Sequence, residues 1–222
     1  MTSPYGCTKQ GIRQQFVTDG HIDGVPGEVN ANLNYLRDCV YDAIGEVVVS
    51  ARELMDWLRA CAVIASDAGI PVIWESPVGF PVHQEYLEQK VRTVHTTLQK
   101  INLREPHPSR IISGTKQERG LPPNYIHSLD AAHMMCTVLA CADAGIIDTS
   151  MVHDSYATHA CDIPALNRIL REQFVEMHSF PLLLQFKQRL ELALPDDAEL
   201  PEIPKLGSLD LEDVKRSPYF FH

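Results

Sequence analysis

The fold is decided by the stretch IIDTSMVHDSYATHA, which occupies residues 146–160. Its apolar first half predicts a strand over 146–152, and its second half predicts a partner strand over 155–160. His153 and Asp154 lie between them at the turn of an antiparallel hairpin. An aspartate at this tip either forms an Asx turn, which needs no function, or presents its oxygens to a charged group. A carboxylate held on strands suits a Mg²⁺ ion shared with substrate phosphates.

Helical patterns surround this hairpin in the sequence. Ser128 is a suitable N-cap for a helix that stops at Gly145. Two further helices are predicted over 164–178 and 181–194. The part of the chain from 121 onward is therefore expected to pack helices against a small sheet.

The chain up to residue 70 is also predicted to be helical. A stretch with several glycines, residues 20–30, separates a short first segment from a long second helix. Apolar residues recur in that helix at three- and four-residue steps from Leu36 to Leu58, which places them on one face. Gly69 is expected to end it.

Between these helical parts the pattern changes to strands. Residues 71–75 predict one strand, and a long polar hairpin is predicted over about 90–113, with 109–113 as the returning strand. A solvent-exposed loop is the alternative for that segment. The resulting fold class is α+β.

Composition gives a weaker indication of function. The net charge of −10 is unusual for a nucleic-acid-binding protein, because phosphate neutralisation favours basic surfaces. A global sum can nevertheless conceal a basic groove. The six cysteines form no CxxC pair, and neither a leader nor a membrane span is recognisable, so we expect a reducing, soluble compartment.

Two further motifs carry candidate functional residues. The segment PPNYIHSLD, residues 122–130, is expected to hold His127 in the first turn of a helix, where imidazole and helix dipole suit phosphate or sugar oxygens. The alternative is a capping arrangement with His127 as a polar filler. At the start of the chain, Tyr5 and Gly6 can stack a ring and allow close backbone approach, unless this segment is simply a frayed terminus.

The order of these motifs resembles that of the single-subunit, bacteriophage/mitochondrial-type DNA-directed RNA polymerases. The similar segments are TSPYG around Tyr5, then PPNYIHSLD at 122–130, then VHDS at 152–155. Two linking pieces also resemble the family: GFPVHQEY at 79–86 and KQERG at 116–120. The resemblance covers essentially the whole chain.

The resemblance implies a partial right-hand polymerase fold and roles for five residues. Asp154 matches the second metal-binding aspartate, which would hold Mg²⁺ in a two-metal reaction. His153 would support the primer end, and His127 would contact the sugar-phosphate edge of the new base pair. Tyr5 would help to select ribonucleotides, and Gly6 would let the template strand pass. The implied domains are a fingers portion at 1–80, a specificity-loop-like β-hairpin region at 81–120 and a palm with a C-terminal tail at 121–222.

The same resemblance assigns the hairpin at about 90–113 to promoter recognition. Arg92, His95, Lys100 and Arg104 are its candidates to reach base edges. The implied partners are a DNA template, an RNA product and ribonucleoside triphosphates.

Some residues that the resemblance requires lie outside these 222. They are the first metal-binding aspartate and the fingers lysine and arginine that grip the triphosphate, all placed before the Tyr5 motif. We therefore expect a truncated product or one half of a split enzyme, inactive alone and dependent on a polypeptide that supplies the upstream domains. A degenerate remnant that only binds nucleic acid or a partner is the non-enzymatic alternative.

A zinc metallohydrolase is a second, weaker alternative. It would use His153, Asp154, His159 and Cys161, although same-face residues at opposite ends of a strand lie far apart. On location, the compact 71–120 region favours a phage origin and hence the host bacterial cytoplasm. An organellar origin would place the protein in the mitochondrial matrix.

Overall fold

Helices and antiparallel hairpins alternate along the chain in a computed structural model that describes residues 8–22, 24–152 and 154–220. The described part contains seven helices and three two-stranded antiparallel sheets, so the α+β class is confirmed. The helices are α1 (Lys9–Thr18), α2 (Val29–Val47), α3 (Val49–Asp67), α4 (Gly114–Asp143), α5 (Ile163–His178), α6 (Leu182–Glu191) and α7 (Asp213–Arg216). The strands are β1 (Val72–Glu75), β2 (Pro81–Gln84), β3 (Gln89–His95), β4 (Lys100–Pro106), β5 (Thr149–Val152) and β6 (Ser155–Thr158).

The long helix predicted through Leu36 to Leu58 is two helices, and that prediction was wrong. α2 ends and α3 begins around Val48, whose φ of −111° and ψ of 55° are not helical. Three consecutive valines, 47–49, occupy the junction, and β-branched side chains lose rotamer freedom in a helix. α3 ends as predicted, because Gly69 adopts a φ of +70° and the amide of Ile70 donates to Ala65.

The larger hydrophobic core joins α3, α4, α6 and β1. Trp74 packs near Tyr125 and Phe186, and its indole nitrogen donates to Ser128 Oγ at 2.9 Å. Trp57 joins the same cluster, and its indole nitrogen donates to the carbonyl of Pro201 at 3.1 Å. Each buried indole N–H thus has a partner, and the second bond anchors the segment after α6 to α3.

A second, smaller core lies where α4 meets α5. Its buried members are Cys141, Ile146, Leu166, Ile169 and Leu170, and Tyr156 of β6 packs against them. This core supports the hairpin of β5 and β6.

Helix α4 begins at Gly114, well before the predicted start at Ser128. Pro122 and Pro123 lie inside it. Prolines inside a helix raise its free energy, and burial of side chains offsets this. Gln117, Leu121 and Tyr125 are buried on the inner side of α4. Ser128 is therefore mid-helix, and the expectation that His127 occupies the first turn was wrong.

The hairpin predicted over about 90–113 exists, but its second strand differs from the prediction. β3 pairs with β4, with Arg92 opposite Leu103 and His95 opposite Lys100. Residues 109–113 contribute only an isolated bridge from Ile112 to Leu87. The turn at Thr96–Gln99 closes the hairpin through a hydrogen bond from Thr96 N to Gln99 O, a tight closure that the sequence pattern did not reveal.

The hairpin predicted over residues 146–160 is confirmed, with shorter strands than predicted. β5 pairs with β6, and Val152 lies opposite Ser155. Thr158 Oγ1 donates to the carbonyl of Asp148 and closes its open end. None of the helices in the described ranges combines the length and apolar character needed to cross a membrane.

Candidate active site

A cleft of about 750 Å³ lies between α4 and the β5–β6 hairpin. Its lining residues are His127, Asp130, Ala131, Met134, Met151, Val152 and Asp154. Two carboxylates and one imidazole thus meet in one concave surface. An acidic, water-exposed cleft of this kind suits a cation or a ligand that carries one.

One wall of the cleft is a single face of α4. Residues 127, 130, 131 and 134 follow the i, i+3, i+4, i+7 spacing that places side chains on one side of a helix. His127 and Asp130 are exposed on this wall. The wall exists because α4 is continuous through the prolines.

The opposite wall is the tip of the hairpin. Asp154 comes directly before β6 and is exposed. Asp154 also borders a second cavity of about 300 Å³ between β6 and α5, lined by Tyr156 and Leu166 among others. Asp154 therefore lines both cavities.

Aromatic side chains, of which His133 is buried and Tyr156 and Phe174 are half-buried, pack behind the hairpin. His133 lies edge-on to Tyr156 and to Phe174, with ring centroids 6.2 Å and 5.6 Å away. Burial, and to a smaller extent the negative charges of Asp130 and Asp154, raises the pKa of Tyr156 to about 12. The pKa values of His133 and His178 are lowered, mainly because burial disfavours their charged forms.

The structure brings together two of the residues singled out from sequence, His127 and Asp154. Tyr5, Gly6 and His153 lie outside the described residues, so their placement stays a prediction. Asp130 was missed as a site residue, although its spacing of three from His127 within the same motif was a usable signal.

Arg92, His95, Lys100 and Arg104 are on the β3–β4 hairpin and belong to its two opposite faces. Cross-strand partners share a face, and pairs alternate between faces along the strands. His95 with Lys100, and Arg104 with Val91, therefore share one face. Arg92 is on the other face.

The two hairpin faces differ in charge. The face of Lys100 and Arg104 carries no acidic residue within β3 and β4, whereas on the opposite face Lys90 stands across from Glu105. The strands together hold four lysines and arginines against one glutamate. The net charge of −10 thus coexists with a locally basic arm.

The zinc alternative finds no support in the geometry. In residues 8–22, 24–152 and 154–220, no three histidine, cysteine, aspartate or glutamate side chains gather into a metal-holding group. His159 lies instead 3.5 Å from a carboxylate oxygen of Asp148. The described members of the proposed set, Asp154, His159 and Cys161, therefore do not form a site together.

Comparison with known proteins identifies close relatives in plant organelles. The DNA-directed RNA polymerase 1B, mitochondrial, of Nicotiana tabacum is 38% identical over 225 residues, which is 100% of this chain and 22% of that protein. The DNA-directed RNA polymerase 3, chloroplastic, of Nicotiana sylvestris is 39% identical over 226 residues and is covered to 23%. The DNA-directed RNA polymerase 2A of Nicotiana tabacum is 39% identical and is covered to 67%.

These relatives have two consequences. The chain spans between a fifth and a quarter of the length of the first two. Their organellar names also leave the expected phage origin, with its bacterial cytoplasm, without support.

The model of the DNA-dependent RNA polymerase family matches residues 1–200, and the chain belongs to the single-subunit, phage-type members of that family.

Proposed function

We propose that this chain forms part of the site of template-directed ribonucleotidyl transfer in a DNA-directed RNA polymerase. The observation that carries the proposal is the shared cleft of His127 and Asp154, which come from different elements of the fold. Packing does not require a histidine on α4 and an aspartate on a hairpin tip to face one cavity. A site that positions a primer end beside a cation requires such groups to lie around one cavity.

Asp154 is the proposed ligand for Mg²⁺. Its carboxylate is exposed at the hairpin tip, and hard oxygen donors of this type fit the ion. When bound, Mg²⁺ would supply activation of the attacking hydroxyl and neutralisation of phosphate charge. Asp130 on the facing wall adds negative charge to the same cleft.

The neighbouring residues bind and orient in this proposal. The ring of His127 can donate a hydrogen bond to a sugar or phosphate oxygen that enters the cleft. His153 would support the primer end, while Tyr5 and Gly6 would act at the ribose and the template. The corresponding domains are fingers at 1–80 and palm at 121–222, in a partial right-hand fold.

The β3–β4 hairpin is proposed to recognise the promoter. Its exposed basic face, with His95, Lys100 and Arg104, suits a DNA backbone and base edges. Arg92 belongs to the other face and would contribute less.

The proposed partners are DNA, RNA and ribonucleoside triphosphates, together with a polypeptide that supplies a further metal-binding aspartate and the triphosphate-gripping cations. One aspartate cannot by itself hold two ions at the spacing a two-metal site requires. The names of the relatives favour an organelle, such as the mitochondrial matrix, as the location.

Primer extension with labelled ribonucleotides tests the proposal. The 222-residue chain alone should not extend an RNA primer on a DNA template, and addition of the upstream polymerase polypeptide should give synthesis. Asp154→Ala should then lower the rate by several orders of magnitude, about 10³-fold or more.

Asp148→Ala is the matched control, since Asp148 is an exposed aspartate beside the same hairpin but outside the cleft. It should retain activity. Equal activities of the two variants would contradict the metal-binding role of Asp154.

A further inference from the structure

His133 is a buried histidine for which the proposed reaction has no direct use. It is on α4, and 4% of its surface is exposed. Its Nε2 lies 2.9 Å from the main-chain carbonyl oxygen of Leu170 on α5. Because a carbonyl oxygen only accepts, the proton of the neutral ring belongs on Nε2. The resulting bond ties α4 to α5.

The same ring contacts the strand that follows Asp154. Tyr156 of β6 lies edge-on to His133 at an interplanar angle of 65°, and Phe174 of α5 lies edge-on from another side at 85°. Such edge contacts stabilise beyond the area they bury. Tyr156 follows Asp154 by two positions along the chain.

Within the described residues, the hairpin has one half-buried face and one exposed face. Met151 and Tyr156 are opposite each other and half-buried, whereas Val152 and Ser155 at the tip are exposed. A two-stranded hairpin is only marginally stable by itself in water. Its position relative to α4 therefore depends on the contacts of the half-buried face, and those of Tyr156 are among them.

Titratable groups face His133 from each neighbouring element. They are Asp130 on α4, His178 on α5 and Tyr156 on β6. Burial lowers the pKa of His133, against smaller opposing effects from the Leu170 carbonyl and Asp130. A neutral ring is consistent with the donation of one hydrogen bond from Nε2 to the carbonyl oxygen of Leu170.

We infer that His133 is a positioning residue for Asp154. Its bond to Leu170 fixes the ring between α4 and α5, and the fixed ring supports Tyr156, which sets the place of the hairpin tip across the cleft from His127. The inference rests on the proposed function, because Asp154 matters only if it serves the reaction. The contacts themselves exist independently of any activity.

Hydrogen exchange on the 222-residue chain tests the contacts without an activity assay. His133→Leu fills a similar volume but removes the donor, whereas His133→Gln can restore a donor near the position of Nε2. We expect His133→Leu to accelerate amide exchange in residues 149–158 by about tenfold. His133→Gln should stay close to wild type, and exchange in α3 and β1 should not change.

Two outcomes overturn the inference. One is unchanged exchange of the hairpin in His133→Leu, and the other is acceleration throughout the chain, which would make His133 an ordinary core residue. If His133→Leu does not fold, Tyr156→Leu tests the other side of the contact. It must accelerate exchange in 149–158 and leave α5 unchanged, and a hairpin that exchanges as in wild type overturns the inference.

Primer extension with the upstream polypeptide then separates the two proposals. His133→Leu should lower kcat by about tenfold with little change in the KM for nucleotide, and His133→Gln should recover most of the loss. Wild-type kinetics for His133→Leu would overturn the positioning role. Wild-type activity of Asp154→Ala would instead overturn the proposed function, and the exchange result would still decide whether His133 holds the hairpin.

Discussion

Gln84 and Gln117 are joined by three hydrogen bonds in the protein interior. Gln84 Nε2 donates to Gln117 Oε1 at 2.8 Å and to the main-chain carbonyl oxygen of Gln117 at 3.2 Å. Gln117 Nε2 donates to the main-chain carbonyl oxygen of Gln84 at 2.8 Å. Asn124 Nδ2 adds a bond of 2.8 Å to Gln84 Oε1. The network joins β2 to two turns of α4. It therefore fixes the rotation of the helix that presents His127 to the cleft.

This network predicts a large stability effect for an isosteric substitution. Gln117→Met should lower the free energy of unfolding by about 1–3 kcal/mol, because the buried carbonyl of Gln84 loses its side-chain donor. Urea denaturation of the chain should show a lower midpoint with an unchanged m-value.

The double variant tests whether the two glutamines act together. Gln84→Met and Gln117→Met should cost less in combination than the sum of the single changes. Each single change leaves one partner of the bond between Gln84 Nε2 and Gln117 Oε1 unsatisfied, and the double change removes both of these side-chain groups. Additive losses would show that the pair is not coupled.

The network also shows where sequence reasoning reached its limit. The motifs around Gln84 and Gln117 were identified only by their resemblance to a family, and nothing in their periodicity indicated a mutual contact. The same contact explains why α4 begins at Gly114 and continues through Pro122, since tertiary burial outweighed the local helix-breaking signal. A start at Ser128 followed correctly from local capping rules and was still wrong.

Other elements were predictable because their signals are local. The β5–β6 hairpin and the end of α3 at Gly69 follow from strand and cap patterns. The meeting of His127 with Asp154 could not be deduced from periodicity, because it depends on how α4 crosses the hairpin. Only the family resemblance, which implies roles for both residues in one reaction, indicated it.

The buried His133 and the half-buried His178 predict a loss of stability on acidification. The pKa values of His133 and His178 are lowered in the folded protein, below the ordinary value of 6.5. The unfolded chain therefore takes up protons first as the pH falls through about 6.5, and stability falls until the lower folded values are reached. The slope contributed by each histidine is at most about 1.4 kcal/mol per pH unit.

Urea denaturation between pH 7.5 and 5 measures this effect. His133→Gln and His178→Gln should each make the decline shallower. A decline as steep as in wild type for both variants would exclude these histidines as its source.

Asp130 is predicted to strengthen cation binding in the cleft without being required for turnover. Asp130→Asn should raise the Mg²⁺ concentration for half-maximal primer extension by about fivefold, because a unit charge and a divalent ion interact by about 1 kcal/mol across ~8 Å of a water-like medium. The maximal rate should change little. Asp143→Asn is the control, because Asp143 is exposed at the far end of α4, outside the cleft. Identical Mg²⁺ dependence in both variants would remove Asp130 from the site.

The β3–β4 hairpin predicts that DNA binding depends on one face and not on charge alone. Lys100→Ala with Arg104→Ala removes two cations from the face that has no acid. If both contact phosphates, the slope of log K against log salt concentration should become less steep by about 1.8. Titration of the chain with a fluorescent duplex at several salt concentrations measures this slope.

The opposite face supplies a control with the same change in net charge. Lys90→Ala with Arg92→Ala also removes two cations, but Lys90 stands across from Glu105, and Arg92 stands across from Leu103. A long-range effect of net charge would weaken binding equally in both double variants. A contact surface would make the slope respond to Lys100 and Arg104 and leave it nearly unchanged for Lys90 and Arg92. Equal responses would reject the assignment of the basic face and leave only nonspecific attraction to explain any binding to DNA.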